Sequence, residues 1–298
     1  MRVLSLVLLS LAAAQSPQPR ATFSSRADLV VVHVAVLDKR AGFVAGLPRE
    51  VFTVHEDGRP QPIKFFEHED TPVTVGLVID SSQSMAPRRD AVIAAGMAFA
   101  ESSHPGDEMF TVNFNERVWR GLAKEHPFTR DHEELRDALA KTGSRGKTAL
   151  FDALQSALEQ LDAGSESRKV LIVLSDGGDN ASRATFDQVL DGALRRDVVI
   201  YAISLAHPDD DGANPEVLKK LAEVTGGEAF FPRANKDITP AMERIARDIR
   251  SSYTLGFVPL AERAASTPRR IRVYVRPDGE HKFTVRARTL VLAPGDSR

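Results

Sequence analysis

Apolar residues in this chain form short runs that alternate between the period of a strand and the period of a helix. Residues 74–79 are almost continuously apolar, as in a parallel strand that is buried on both faces. Residues 148–161 instead carry Leu and Ala at helical spacing. Such segments alternate from about residue 74 to residue 251. The pattern predicts an α/β fold with a doubly wound, mostly parallel sheet of the Rossmann-like kind.

The elements of this α/β unit can be assigned from periodicity and from turn residues. The predicted strands cover residues 74–79, 108–114, 118–119, 169–175, 198–205 and 228–231. The predicted helices cover residues 87–103, 131–141, 148–161, 185–196, 215–225 and 239–251. The pair Gly226-Gly227 ends the fifth helix, because glycine commonly follows the last helical turn.

The segments on either side of the α/β unit have the alternating pattern of β-strands. Strands are predicted over residues 28–38, 51–54, 63–66, 253–258, 270–276 and 281–288. Turns are predicted at residues 56–58 and 277–279, which contain Asp-Gly pairs. A few strands bury too little apolar surface to fold alone. We therefore expect segments 27–70 and 252–298 to pair into one flanking β domain, with residues 71–251 inserted between them.

The N-terminus has the features of a secretory signal. Arg2 is followed by a short apolar stretch and by the small residues 12–14, which predicts a signal peptide over residues 1–15 and export to the periplasm or medium. The alternatives are a buried strand or an uncleaved anchor. Residues 16–26 read as a polar linker. No later segment is apolar enough to suggest a transmembrane helix.

Composition excludes several classes of function. The 298 residues carry a net charge of −2, which gives no overall basis for binding nucleic acid. The absence of cysteine excludes disulfides, thiolate metal sites and a thiol nucleophile. The sequence also lacks the His-Glu-x-x-His and Gly-x-Ser-x-Gly motifs. We therefore expect a protein that is not an enzyme. The basic pair Arg269-Arg270 opens a predicted strand, where an exposed sheet edge is favoured over a binding patch.

Small oxygen-bearing side chains follow the ends of two buried strands. Asp80, Ser82 and Ser84 come after the first, Asp176 follows a later one, and Thr148 lies at a loop-to-helix junction. The carboxyl ends of parallel strands meet at one edge, where α/β sheets bind ligands. Hard cations prefer such oxygens. The alternative is that the two serines cap the following helix.

Asp179 follows Asp176 in the same loop. It could serve as an outer acid or as a substitute ligand of such a site, but a solvated loop residue is the favoured interpretation.

The ordered set Asp80, Ser82, Ser84, Thr148 and Asp176 resembles the metal-ion-dependent adhesion site of von Willebrand factor type A domains. Gln83 stands where many relatives have glycine, at a spacer position. The flanking residues 54–58, 253–259 and 272–276 are similar to a bacterial group of exported von Willebrand-related proteins.

The resemblance implies that the five residues hold a divalent cation, with Mg²⁺ the leading candidate and Mn²⁺ or Ca²⁺ the alternatives. It also implies an adhesion or protein-binding function, in which an Asp or Glu carboxylate of a partner protein completes the coordination of the ion. A metal-assisted hydrolase and a structural module with a stabilising metal are the other interpretations.

Overall fold

The computed structural model describes residues 29–68, 70–141, 145–206, 212–260, 267–277 and 282–292. The predicted signal peptide and linker lie outside the described residues, as does the predicted turn at 278–279. Among the described residues, no helix combines the length and the apolar character needed to cross a membrane.

Fourteen strands and six α-helices are numbered along the described chain. The strands are β1 Val30–Leu37, β2 Phe52–Glu56, β3 Arg59–Gln61, β4 Ile63–Glu67, β5 Thr74–Asp80, β6 Glu108–Phe114, β7 Val118–Arg120, β8 Lys169–Ser175, β9 Val199–Ser204, β10 Ala229–Phe230, β11 Tyr253–Phe257, β12 Arg269–Val275, β13 Thr284–Ala287 and β14 Leu290–Val291. The helices are α1 Arg89–Ser102, α2 His132–Ala140, α3 Leu150–Leu161, α4 Phe186–Arg195, α5 Pro215–Thr225 and α6 Ile238–Ser251. A short 3₁₀ helix, Gln83–Arg88, precedes α1 where the sequence predicted the start of the helix itself.

The α/β unit is built on a six-stranded sheet in the order β10-β9-β8-β5-β6-β7. All pairs are parallel except the one between β6 and β7. One face of the sheet packs against α1 and α6, and the other packs against α3, α4 and α5. Every residue of β5 and β6 is buried, as expected for central strands that are covered on both faces. The predicted doubly wound α/β fold is confirmed.

Two four-stranded antiparallel sheets make up the β domain, in the orders β13-β1-β11-β4 and β14-β12-β2-β3. The N-terminal strand β1 lies between the C-terminal strands β11 and β13, and β2 pairs with β12. The expectation that both chain ends build one β domain is therefore confirmed, while the exact domain bounds stay predictions. The inner faces of the two sheets share one apolar core.

The turn at Asp57 and Gly58 joins β2 to β3, a strand that the sequence pattern did not predict. The next predicted strand, β4, instead crosses to the other sheet and pairs with β11.

Ion pairs attach the β domain to the last helix of the α/β unit. Asp248 of α6 is 1% exposed and accepts a hydrogen bond from Arg286 of β13. Arg286 also pairs with Glu228. The Oε2 atom of Glu228 lies 3.6 Å from Nη2 of Arg244, which belongs to α6. Ser252 alone separates α6 from β11. A central strand of the β domain is thus a direct continuation of this helix.

Glu56 and Arg269 form a buried ion pair between the N-terminal and C-terminal halves of the β domain, where both side chains are at most 2% exposed. Leu260 adds a backbone hydrogen bond of 2.9 Å to the Glu56 carboxylate. We expect Glu56→Ala to lower the free energy of unfolding by about 3 kcal/mol, because the change leaves a buried guanidinium without its carboxylate. Urea denaturation measures this loss. The exposed Glu50→Ala is the matched control, and equal stabilities of the two variants would contradict the expectation.

Acid should lower the free energy of unfolding through His33, whose Nδ1 lies 3.2 Å from Thr254 Oγ1. Burial, together with the charges of Arg168 and Arg288, holds the pKa of His33 well below its ordinary value. In the unfolded chain the imidazole of His33 takes up a proton near pH 6.5, whereas in the folded chain it stays neutral at that pH. Stability is therefore fully present above about pH 6.5 and falls as the pH drops towards the folded pKa.

The loss of stability on acidification should be smaller in His33→Gln than in the wild type. Denaturant melts at pH 7.5 and pH 5.5 measure it. His126→Gln, at an exposed position, should keep the wild-type dependence, and an unchanged slope in His33→Gln would refute the role of His33.

Candidate metal centre

Asp80 ends the central strand β5, so its side chain emerges at the carboxyl edge of the sheet. The residue is 3% exposed. Its Oδ1 accepts a 2.8 Å hydrogen bond from the backbone N–H of Ser82, and its Oδ2 accepts a 2.6 Å hydrogen bond from the hydroxyl of Ser175. Both oxygens of the carboxylate are therefore held in fixed directions.

Two hydroxyls connect this first loop to the loop after β8. The Oγ atoms of Ser82 and Ser84 lie 3.1 Å apart, and Ser84 Oγ donates to Asp176 Oδ2 at 2.7 Å. The structure thus joins Asp80, Ser82, Ser84 and Asp176, which we call the oxygen network. The alternative that the serines cap the helix is not supported, since the side chain of Ser82, at the N-cap position, makes no hydrogen bond to the backbone N–H groups of the 3₁₀ helix.

Thr148 lies in the third loop of the edge and is 7% exposed. Its N–H donates to Asn180 Oδ1 at 3.0 Å, and its carbonyl accepts from the N–H groups of Asn180 and Ala181. Three residues before Thr148, the N–H of Arg145 donates a 2.9 Å hydrogen bond to the carbonyl of Ser81 in the first loop. The backbone of Thr148 is therefore tied between the other two loops. Among the described residues, no hydrogen bond joins its hydroxyl to the oxygen network.

Two glycines shape the loop that carries Asp176. Gly178 N–H donates to Asp176 Oδ1 at 2.9 Å, so the second oxygen of this carboxylate is also oriented. Gly177 has φ +82°, and a Cβ there would lie 2.3 Å from the carbonyl oxygen of Asn214. Only glycine fits this close approach to the start of α5 without strain.

Burial raises the pKa of Asp80 to about 6, and the nearby charge of Asp176 acts in the same direction. The hydrogen bonds from Ser175 and Ser82 oppose this rise. Among the described residues, no lysine or arginine forms an ion pair with either carboxylate of the network.

The donor chemistry of the network fits a hard cation. It combines two carboxylates with hydroxyl groups, and these oxygens are the ligands that Mg²⁺ and similar ions accept. Within the described ranges, no cluster of three or more His, Cys, Asp or Glu side chains could hold a metal ion. A cation at this edge would therefore depend on Ser82 and Ser84 as much as on the two acids.

Sequence reasoning missed Ser175, whose hydroxyl links Asp80 to the backbone N–H of Gly177 at 3.0 Å. Its only sequence signal is a polar residue at the end of an apolar strand.

The favoured interpretation of Asp179 as a solvated loop residue is wrong. Asp179 is partly buried, and its Oδ2 accepts hydrogen bonds from Phe151 N and Ser182 Oγ. It thus anchors the first turn of α3.

Comparisons with known proteins agree with this geometry. Residues 75–178 match the family model of the von Willebrand factor type A domain. The resemblance inferred from the motif is thus confirmed for the α/β unit. No curated protein sequence matches the chain.

Solved structures share the fold at low identity. A von Willebrand factor type A protein from Catenulispora acidiphila is 13% identical, with 92% of this chain and 76% of that chain covered and a TM-score of 0.52. Proximal thread matrix protein 1 from the mussel byssus is 17% identical, with 65% and 50% covered and a TM-score of 0.52. The chain therefore spans about half the length of the mussel protein. At these identities the likeness establishes the fold alone.

Asp179→Ala should lower the free energy of unfolding by about 1–2 kcal/mol, because the N–H of Phe151 loses its acceptor at the start of α3. Thermal and urea melts measure the change. Asp137→Ala, at an exposed position in α2, is the matched control and should stay near the wild type. Equal stability of both variants would show that Asp179 does not anchor the helix.

Proposed function

We propose that the chain is a protein-binding module that captures an acidic group of its partner through a divalent cation. The premise is that residues 75–178 form a von Willebrand factor type A domain. The observation that carries the proposal is the oxygen network, in which Ser84 joins Asp176 to the loop of Asp80. Two carboxylates at a sheet edge that form no ion pair with a described lysine or arginine favour an ion as their counter-charge.

Asp80, Ser82, Ser84, Thr148 and Asp176 would hold the ion, with Mg²⁺ as the first candidate because it binds oxygens and keeps water. When bound, the ion supplies a positive charge with an exchangeable position for a carboxylate of the partner. Thr148 enters through its loop, which is tied to both other loops of the edge.

The residues around the network keep its oxygens in position. Ser175 and the N–H of Ser82 orient the carboxylate of Asp80, and the N–H of Gly178 orients that of Asp176. Such outer hydrogen bonds reduce the reorganisation that binding requires and tune the basicity of the ligands. We expect the site to be largely preformed in the free protein.

Space for a partner lies next to the network. A cavity of about 940 Å³ opens along the ends of β9 and β10. It is lined by Arg88, Arg233, Leu205 and Phe231, and the last is 51% exposed. Arg88 Nη1 also donates to the carbonyl of Ser84 at 3.4 Å, which connects the cavity to the network. If a carboxylate of the partner bound the ion, the neighbouring residues of the partner would contact this surface. Because the surface is partly apolar and partly basic, it suits an acidic segment with a bulky apolar residue.

Export belongs to the same proposal. It rests on the signal pattern of residues 1–15 and places the module in the periplasm or outside the cell.

The hydrolase alternative needs a general base beside the ion. Among the described residues, no His or Glu hydrogen-bonds to the network. The structural-module alternative predicts a metal-dependent melting temperature without a metal-dependent partner.

Asp80→Ala should reduce Mg²⁺ affinity about 100-fold or more, because the change removes one of two charged ligands. Isothermal titration calorimetry with Mg²⁺ measures the affinity, and Asp80→Asn repeats the test with a side chain of the same size. Asp137→Ala is the control with the same change of charge. Circular dichroism checks that each variant is folded. Equal Mg²⁺ affinity in folded Asp80→Ala and wild type would refute the site.

A pulldown with and without chelator then separates the functions. A partner that is lost with chelator and with Asp80→Ala supports capture through the ion. A chelator-induced fall in melting temperature with no such partner supports the structural module.

A further inference from the structure

A row of exposed side chains follows one face of β12. Arg270, Arg272 and Tyr274 point outward at alternate positions, and Arg276 continues the row just after the strand. The intervening residues Ile271, Val273 and Val275 pack into the core of the β domain. The row is therefore fixed to a rigid strand rather than to a loop.

The expectation that Arg269-Arg270 marks an exposed edge is wrong. In the sheet order β14-β12-β2-β3, β12 lies between two other strands. Arg269 points inward and pairs with Glu56, whereas Arg270 points outward. Protection of a sheet edge therefore does not explain the outward arginines.

Of this row, Arg270, Arg272 and Tyr274, but not Arg276, line a concave surface, which we call the β12 groove. Its volume is about 790 Å³, and the wall opposite the row is formed by His55, Asp57 and Gly58. Tyr274 is 50% exposed, and the ring of His55 meets its ring edge-on with centroids 5.1 Å apart. Its aromatic surface is thus held in one orientation while it stays open to a ligand.

The β12 groove carries an excess of positive charge. Within the described ranges, no acid forms an ion pair with Arg270, Arg272 or Arg276. The nearby carboxylate of Asp57 accepts a 3.0 Å hydrogen bond from the backbone N–H of Arg270. Because the whole chain has a net charge of −2, this concentration of cations is local and not a consequence of composition.

We propose that the β12 groove binds an extended acidic segment of a partner protein, with carboxylates at alternate positions. Side chains on one face of a strand repeat every two residues, or about 6.8 Å, in the groove and in an extended peptide alike. The planar guanidinium groups of the arginines then donate hydrogen bonds to carboxylates of the segment, and the ring of Tyr274 packs against an apolar residue. The matching peptide pattern is acidic-x-acidic-x-apolar-x-acidic, in either direction.

The shape of the groove favours a peptide over a membrane. A flat lipid surface contacts protruding residues, whereas Arg270, Arg272 and Tyr274 line a concavity together with Pro268 and Leu290. The binding site lies on the β domain and needs no ion, so it is independent of the metal site of the α/β unit.

Fluorescence anisotropy with two labelled heptapeptides tests the proposal in the full chain, at low salt and with chelator present. Glu-Thr-Glu-Thr-Phe-Thr-Glu has the matching pattern, and Glu-Glu-Glu-Thr-Thr-Thr-Phe has the same composition without it. The first should bind roughly tenfold more tightly, since charge alone does not distinguish the two. The double variant Arg270→Glu/Arg272→Glu should lose this binding.

Arg117→Glu/Arg120→Glu, at exposed positions of the α/β unit, makes the same change of charge and should keep the wild-type affinity. Asp80→Ala should keep it as well, which separates this site from the metal site. The wild type should bind the matching peptide more tightly than a version with alanine in place of its phenylalanine, and Tyr274→Ala should remove this difference in affinity.

Equal affinity for the two peptides would overturn the proposal, as would equal loss in both arginine pairs. Tighter binding of vesicles with anionic lipid than of the matching peptide, abolished by Arg270→Glu/Arg272→Glu, would show that the groove binds a membrane instead.

Discussion

The parallel pairing of β5 with β8 is the constraint on which the site depends. Ile79 lies opposite Leu174, so the residues that follow these two leave the sheet side by side. Asp80 and Asp176 reach one edge only because both strands run in the same direction and end at the same level. Their carboxylates repel each other, and each accepts a hydrogen bond from a serine hydroxyl, Asp176 from Ser84 and Asp80 from Ser175. A displacement of this register by two residues would separate the two acids by several ångströms.

The β domain is joined to the same framework by a short covalent link and by ion pairs. With Ser252 as the only residue between α6 and β11, any movement of the helix would be transmitted to a central strand of the domain. The pairing of Arg286 with Asp248 and Glu228 resists such movement. The outward face of β12 lies in the other sheet of this domain. The chain thus presents two chemically different surfaces on one framework, an acidic site on the α/β unit and a basic groove on the β domain.

The type and order of the elements could be read from the sequence because burial on both faces imposes a continuous apolar run, and burial on one face imposes a periodic one. Residues 108–114, 169–175 and 215–225 were assigned with the bounds that the structure has. The motif residues Asp80, Ser82, Ser84 and Asp176 could be found because all four lie within five residues of the end of such a run and match the order of a known motif. The roles of Ser175 and Asp179 could not be found, because neither residue belongs to the motif. Their roles depend on contacts with residues far along the chain.

The sequence by itself determined the α/β alternation, the two β segments and the oxygen-bearing residues, because these features depend on local periodicity and on residue chemistry. Only the tertiary structure decided which strands pair across the chain. Examples are β1 with β11, β2 with the short strand β3, and β4 with β11. It also decided that Arg269 is buried while Arg270 faces solvent. The physical reason is that strand pairing over long sequence separations is set by the fit of whole sheets against one another, which no local window of residues contains.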